Sequence, residues 1–291
     1  MKPAPFQYLR AASVPQALQA LADHGPEARI LAGGQSLVPM MNFRLARPAC
    51  LVDINGIRDL NYIRREDGHL TIGALTRQST LEHSPLVEAA GPLLAEATRL
   101  IGHPTIRHRG TIGGSLAHAD PAAESPTALL ALDGDVTVAG PSGQRRIPAS
   151  DLFVGYCATS LEPGEMLVEV RIPVTPPRTG WAFLELARRH GDFAIVGVAA
   201  QLTTDAHGTC TGARLALCGV APTPVRCSQA EAELIGSPVD DAVIQHAAEA
   251  AAEAADPSDD LHGSARYKQR MVTVFAQRAL RRARQRMGER L

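Results

Sequence analysis

The sequence predicts an α+β protein: a larger mixed portion followed by a smaller one in which strands precede helices. Three observations predict it. The chain has 291 residues, the length of one large domain or of two ordinary ones at roughly 100–200 residues each. The stretch Pro173-Val174-Thr175-Pro176-Pro177 interrupts every regular pattern, because proline fixes φ and removes a backbone donor. Beyond it, candidate strands come first and candidate helices after, which is the order of an α+β unit rather than of alternating βαβ repeats.

Taken in order, Phe6 to Ala11 is a short extended run, and Ser13-Val14-Pro15-Gln16 has capping-box spacing with Pro15 in the tolerant first turn. Val14, Ala17, Leu18, Leu21 and Ala22 then repeat as one buried helical face, ended by Asp23-His24-Gly25-Pro26. Arg29 to Ala32 reads as a strand leading into the glycine loop at Gly33-Gly34. Cys50 to Ile54, followed by the turn signal Asn55-Gly56, and Leu70 to Leu75 read as further strands. Leu86 to Ile101 reads as one helix, stopped by Gly102 and Pro104. A second glycine loop covers Arg109 to Ser115. Ala122 to Leu132 reads as a helix, Val136 to Ala139 with Gln144 to Ile147 as a hairpin, and Met166 to Ile172 as a strand. After the prolines, Trp181 to Ala187, Ala194 to Leu202 and Ala213 to Val220 predict an antiparallel sheet, and Ser228 to Ile235, Val239 to Ala255 and Ala265 to Arg286 predict helices.

The composition, with 45% hydrophobic and 20% charged residues, is that of a folded globular chain. Twenty-nine basic residues against thirty acidic ones, a net charge of -1, give no overall electrostatic case for nucleic acid or an anionic membrane. The longest apolar runs, such as Ala194 to Leu202, are far short of the ~20 residues that span a bilayer, and Met1-Lys2-Pro3-Ala4-Pro5 carries no apolar signal core. A cytoplasmic location with no membrane span is expected. The five cysteines (Cys50, Cys157, Cys210, Cys218, Cys227) make no Cys-x-x-Cys pair, so neither a disulfide framework nor an iron–sulfur cluster on this chain is expected.

Two segments carry the chemistry. Ala32-Gly33-Gly34-Gln35-Ser36 and Thr111-Ile112-Gly113-Gly114-Ser115 each pair two glycines with a hydroxyl residue. With no Cβ in the way, several N–H groups can converge on one anion, and two such segments together suit a diphosphate. A single Gly-Gly would be an ordinary tight turn. No Gly-x-Gly-x-x-Gly opens a helix and no Gly-Lys-Ser/Thr occurs, so neither a Rossmann fold nor a P-loop is supported; His-Glu-x-x-His and Gly-x-Ser-x-Gly are missing too. His118, Asp120 and Glu124 follow the second segment, with His103 and His108 before it. As metal ligands they form no identifiable closed set, so no metal is expected, and a polar wall around a ligand is the favoured reading.

The run Ala32 to Met41, with Ile106-Arg107-His108-Arg109-Gly110-Thr111-Ile112-Gly113-Gly114-Ser115-Leu116-Ala117-His118-Ala119-Asp120-Pro121-Ala122-Ala123-Glu124, resembles the FAD-binding medium subunit of molybdenum hydroxylases, the group of xanthine dehydrogenase and aerobic carbon monoxide dehydrogenase. The resemblance extends over essentially the whole chain. It implies a vanillyl-alcohol-oxidase (PCMH) type FAD-binding fold over residues 1–175, in two α/β subdomains of about 1–56 and 57–175. A C-terminal α+β domain, residues 178–291, would carry a three-stranded sheet with helices. By position, residues 32–36 and 111–115 would hold the pyrophosphate mainly through backbone amides, with Asp120 and Glu124 beyond them and Glu124 near the adenosine side. Ile101 and Leu167 would make apolar contacts with FAD.

In the second domain, Arg188-Arg189-His190-Gly191-Asp192-Phe193 is similar to the family's segment near the isoalloxazine ring. It implies cofactor contacts from Arg188, Asp192 and Phe193, with the arginine favouring reduced flavin and the aromatic ring covering or gating it. Many relatives have a lysine shortly before this segment, where this chain has Glu185.

The function implied is electron transfer. A large subunit would hold the molybdenum cofactor and a small one two [2Fe–2S] clusters, assembled as a dimer of heterotrimers, with FAD passing electrons to quinone, NAD or oxygen. No catalytic acid–base residue is assigned on this chain. Two alternatives stay open: a free-standing flavin oxidase or dehydrogenase with His190 or His118 as base, and a nucleotide-binding scaffold without redox turnover. Arg278, Arg281, Arg282, Arg284, Arg286 and Arg290, opposed almost only by Glu289, make the last helix basic; it suits either an acidic partner surface or a plain structural role.

Overall fold

The computed structural model describes residues 2–287. The chain opens with β1 (Gln7–Arg10), α1 (Val14–His24), β2 (Ala28–Leu31), α2 (Leu37–Asn42) and β3 (Cys50–Asp53). Ser13 caps α1: its side chain accepts from the Gln16 N–H at 3.4 Å, while Gln16 Oε1 accepts from the Ala12 N–H at 2.9 Å. The reciprocal bond thus reaches one residue further back than the usual capping box. The helix buries Ala17 and Leu21. The strands form a parallel sheet in the order β1-β3-β2, and α1 and α2 supply the crossovers that parallel strands require.

The next portion contains β4 (Ile63–Glu66), β5 (His69–Gly73), α3 (Gln78–His83), α4 (Pro85–Ala90), α5 (Pro92–Leu100), α6 (Pro104–Arg107), α7 (Ile112–His118), α8 (Glu124–Ala131), β6 (Asp135–Gly140), β7 (Gly143–Pro148), α9 (Ala149–Leu152), β8 (Phe153–Gly155), β9 (Ala158–Thr159) and β10 (Met166–Pro173). Five strands form an antiparallel sheet, β4-β5-β10-β6-β7. Two expectations are corrected. The single helix over Leu86 to Ile101 is two, α4 and α5, because Gly91 leaves the helical region (φ -142, ψ 58) and Pro92 restarts the chain at an N-terminal position. The second glycine loop is not a loop throughout: from Ile112 it is the first turn of α7, capped by Thr111.

The C-terminal portion comprises β11 (Thr179–Leu186), β12 (Val196–Thr204), β13 (Cys210–Cys218), β14 (Val225–Arg226), α10 (Ser228–Leu234), α11 (Asp241–Glu253) and α12 (Ala265–Met287). Its sheet has four strands, β11-β12-β13-β14, not the three expected. The fourth is two residues long and is defined by its pairing with Ala216 and Leu217, so it is too short to leave a periodic signal. Side chains alternate across this sheet as a strand dictates. Ala182, Val198, Ala200, Leu215 and Leu217 share a core with α11 and α12. Phe183, Ala199, Ala216 and Cys218 enter the core that holds α5, α8 and the five-stranded sheet.

The basic face of α12 is met largely within the chain. Arg281 and Arg284 lie 3.4 and 3.0 Å from Asp241, Arg282 lies 3.8 Å from Glu96, and Arg286 joins Glu96 and donates to the Trp181 carbonyl at 2.7 Å. The Arg278 guanidinium lies over the Phe275 ring. Glu289 and Arg290 lie outside the described residues. Among the described residues no helix is long and apolar enough to cross a membrane. All five cysteines are free, and only Cys157 is exposed.

Candidate functional site

The first glycine segment leaves β2 and turns at Gly34, whose φ of +72 favours a residue without Cβ. Gly33 lies against the second segment: a Cβ there would overlap the Arg109 carbonyl oxygen and lie 2.8 Å from Gly110 Cα. Downstream, the Thr111 hydroxyl accepts from the Gly114 N–H at 3.1 Å. Gly113 packs on Ala74, where a Cβ would lie 2.7 Å from the Ala74 Cβ and 2.8 Å from its carbonyl oxygen. Close backbone approach, not turn conformation, is therefore what requires glycine at 33 and 113.

These segments border one cavity of about 1020 Å³. Its wall includes Ala32, Gly33, Gly34, Gln35 and Ser36 from the first segment, and Thr111, Gly113, Gly114 and Ser115 from the second. Ile101, Asp120, Glu124 and Leu167 line it as well, and Asp192 and Phe193 reach it from the C-terminal portion. Arg188 does not line it: the residue is exposed in the turn that follows β11, where a long cation is better solvated than on an apolar wall. Phe193 lines the cavity while remaining 60% exposed, so it sits at the rim. The turn that carries it is seated on the first portion, since a Cβ on Gly191 would lie 2.6 Å from His103 Cε1.

The two segments differ in the donors they offer. In the second, the Ile112 N–H donates to the Thr76 carbonyl at 3.1 Å, that of Gly113 to the Ala74 carbonyl at 3.0 Å, and that of Ser115 to the Thr111 carbonyl at 3.1 Å. With the Gly114 N–H held by Thr111, the hydroxyls of Thr111 and Ser115 remain as donors there. In the first, the N–H groups of Gly33, Gly34, Gln35 and Ser36 have no acceptor among the described residues. Four consecutive unpaired amides on a cavity wall require an outside acceptor.

Carboxyl groups outnumber guanidinium groups on the wall: Asp120, Glu124, Glu162, Glu165 and Asp192 against Arg29. Arg29 is itself turned toward the carbonyls of Pro26 and Ala28. An anion here is therefore met by main-chain dipoles rather than by an ion pair.

Glu124, 4% exposed, is pushed up to about 8 by burial, with the nearby carboxyls of Glu185 and Asp120 adding to the shift. At neutral pH it holds a proton and can both donate and accept. Glu185 is pushed up to about 7 by burial, and its Oε2 is buried without a partner. Behind them burial also raises the Cys218 thiol. One group of ligating side chains converges among the described residues: His118, Asp120 and Cys157, with ligand atoms within 4.8 Å of one another. Glu124, His103 and His108 are not part of it.

Sequence reasoning missed Gln78. It lines the cavity at 5% exposure, donates its N–H to the Gly110 carbonyl at 3.0 Å, and holds a buried side-chain oxygen without a partner. It belongs to no motif, so no sequence signal marks it. The cradle at Gly33, the four unpaired amides and the size of the cavity fit a dinucleotide such as FAD.

Comparison with known proteins agrees with this fit. Residues 4–175 match the family described as "FAD binding domain in molybdopterin dehydrogenase", and residues 181–283 the "CO dehydrogenase flavoprotein C-terminal domain". The chain is 48% identical over 283 residues to the 6-hydroxypseudooxynicotine dehydrogenase complex subunit alpha of Paenarthrobacter nicotinovorans, covering 97% of this chain and 96% of that one. It is 41% identical over 280 residues to the carbon monoxide dehydrogenase medium chain of Hydrogenophaga pseudoflava, covering 96% and 97%. A solved structure of carbon monoxide dehydrogenase from Hydrogenophaga pseudoflava superposes with a TM-score of 0.95 at 43% identity, covering 97% of this chain and 98% of that one.

Proposed function

This chain belongs to the FAD-binding family of molybdopterin dehydrogenases, and from that membership we propose that it is the FAD-carrying electron-transfer subunit of a molybdenum hydroxylase. Its partners are a large subunit with the molybdenum cofactor and a small subunit with [2Fe–2S] clusters, assembled as a dimer of heterotrimers. When bound, FAD would supply the redox chemistry, one- and two-electron transfer between the clusters and an external acceptor. Residues 1–175 form the FAD-binding domain, of PCMH type, and residues 178–291 the C-terminal domain.

The chain's own residues bind, orient and shield. The amides of Gly33, Gly34, Gln35 and Ser36 meet the pyrophosphate, with hydroxyls from Thr111 and Ser115. Glu124, holding its proton, serves the adenosine side, and Asp120 adds a further contact to the cofactor. Ile101 and Leu167 give apolar contact and exclude water, and Asp192 and Phe193 stand at the rim. Arg188, outside the cavity wall, acts on the site at most through its charge.

The observation that carries this reading is the meeting of the two glycine segments on one cavity wall beside a run of amides without internal acceptors. Purification of the native complex with its visible spectrum tests it. The expected result is a yellow chain, bleached by organic substrate only when the molybdenum and iron–sulfur chains are present. Bleaching of the isolated chain by substrate alone would instead make it a free-standing flavin enzyme, and a colourless active complex would make it a scaffold.

A further inference from the structure

A hydrogen-bonded strap outside the cavity joins the two glycine segments. Asn55, just past β3, donates through Nδ2 to the Ala32 carbonyl at 2.8 Å. Its Oδ1 accepts from Arg77 Nη2 at 2.7 Å, and Arg77 Nη1 donates to the Arg109 carbonyl. The two carbonyls so held are those immediately before Gly33 and Gly110, the glycines that pack on each other. Asn55 is itself fixed: its N–H and Nδ2 donate to Asp53 Oδ1 at 2.9 and 2.7 Å, and Asp53 Oδ2 accepts from the Tyr8 hydroxyl. The strap thus runs from the parallel sheet through Tyr8, Asp53, Asn55 and Arg77 to the second segment.

We propose that Arg77 and Asn55 are positioning residues for FAD, setting the distance between the two glycine segments and thereby the register of the amides at 33–36. The proposal rests on the reading of the cavity as the FAD site. Neither residue lines the cavity, so they act through the carbonyls they hold. A planar guanidinium can serve two acceptors at a fixed angle, whereas an ammonium on a flexible stem serves them without fixing their separation. Hydrogen bonds from a charged donor are also about twice as strong as neutral ones. A neighbouring β-bridge between Arg77 and Thr111 keeps the Arg77 backbone beside the second segment whatever its side chain, so a substitution there removes the strap and leaves the strand contact in place.

The test titrates FAD into the full chain by quenching of flavin fluorescence, with the thermal midpoint of the cofactor-free chain measured alongside. R77M is expected to weaken FAD binding about tenfold with the cofactor-free midpoint unchanged, and R77K is expected to recover part of the loss. The double variant R77M/N55A is expected to bind no more weakly than the weaker single variant, because both break one strap. If R77M fails to fold, R77K, N55A and their combination make the same comparison. Wild-type affinity in the single variants, losses that add in the double variant, or loss of affinity only in step with a falling midpoint would overturn the strap. A wild-type chain that takes up no FAD would overturn the reading of the cavity, and the strap with it.

Discussion

Gly33 packs its Cα against the carbonyl of Arg109 so closely that no side chain can stand between them. The contact joins a turn that leaves a parallel sheet to the turn that enters α7, and it brings the unpaired amides of the first segment beside the hydroxyls of the second. Gly33→Ala is therefore expected to force the segments apart and to weaken FAD binding by about ten- to a hundredfold, the cost of one overpacked contact. Gly212→Ala, whose Cβ would meet only Thr203 at 3.7 Å, is the control. Flavin content after desalting reads both; full flavin retention in Gly33→Ala would remove the contact from the binding site.

The pair Glu124 and Glu185 gives a pH dependence with a definite sign. Their carboxyls are raised to about 8 and about 7. Between the ordinary carboxylate range and those values the folded chain keeps protons that the unfolded chain has released. Stability therefore falls as pH rises from about 4.5 to about 8 and levels off above that. Glu185→Gln is expected to flatten the slope and to raise the thermal midpoint at pH 8 by about 2 °C, with no gain at pH 4.5. An unchanged midpoint at pH 8 would show that burial does not raise the Glu185 carboxyl above its ordinary range.

Arg286 ties α12 to the first portion of the chain through Glu96 and to β11 through the Trp181 carbonyl, with its guanidinium 5.2 Å above the Trp181 ring. Arg286→Ala leaves a mostly buried carboxylate poorly matched and is expected to cost about 2 kcal/mol, a drop of about 5 °C in thermal midpoint. Arg281→Ala, which removes only an exposed pairing with Asp241, is expected to leave the midpoint unchanged. Equal losses in the two variants would contradict the special role of Arg286.

Where the sequence was legible, the signal was local. Ser13 and Gln16 mark the start of α1, the strand over Met166 to Pro173 alternates, and the glycine pairs mark the places where backbone comes close to backbone. What escaped depends on partners distant in sequence. The two-residue strand Val225–Arg226 exists only through its pairing with Ala216 and Leu217. The break at Gly91 and Pro92 hides inside an apolar pattern that continues across it. The amides of residues 112–115 look as available in sequence as those of 33–36, but those of Ile112 and Gly113 are taken by the carbonyls of Thr76 and Ala74, brought over by the fold, and those of Gly114 and Ser115 by Thr111. Gln78 and Arg77 carry no motif, and Asn55 only a turn signal, because their roles come from the carbonyls they meet. The position of Arg188 outside the wall is likewise set by a turn whose course the motif does not encode.

The seating of Phe183, Ala199, Ala216 and Cys218 among the helices of the first portion makes the proline stretch a poor place to cut. Severing the chain there would leave each fragment with an uncovered oily face, one lacking the floor beneath α5 and α8 and the other lacking its lid. Such fragments would clump rather than dock. A chimaera that takes its tail from a relative would need those four side chains to travel together with the helical surface they fill.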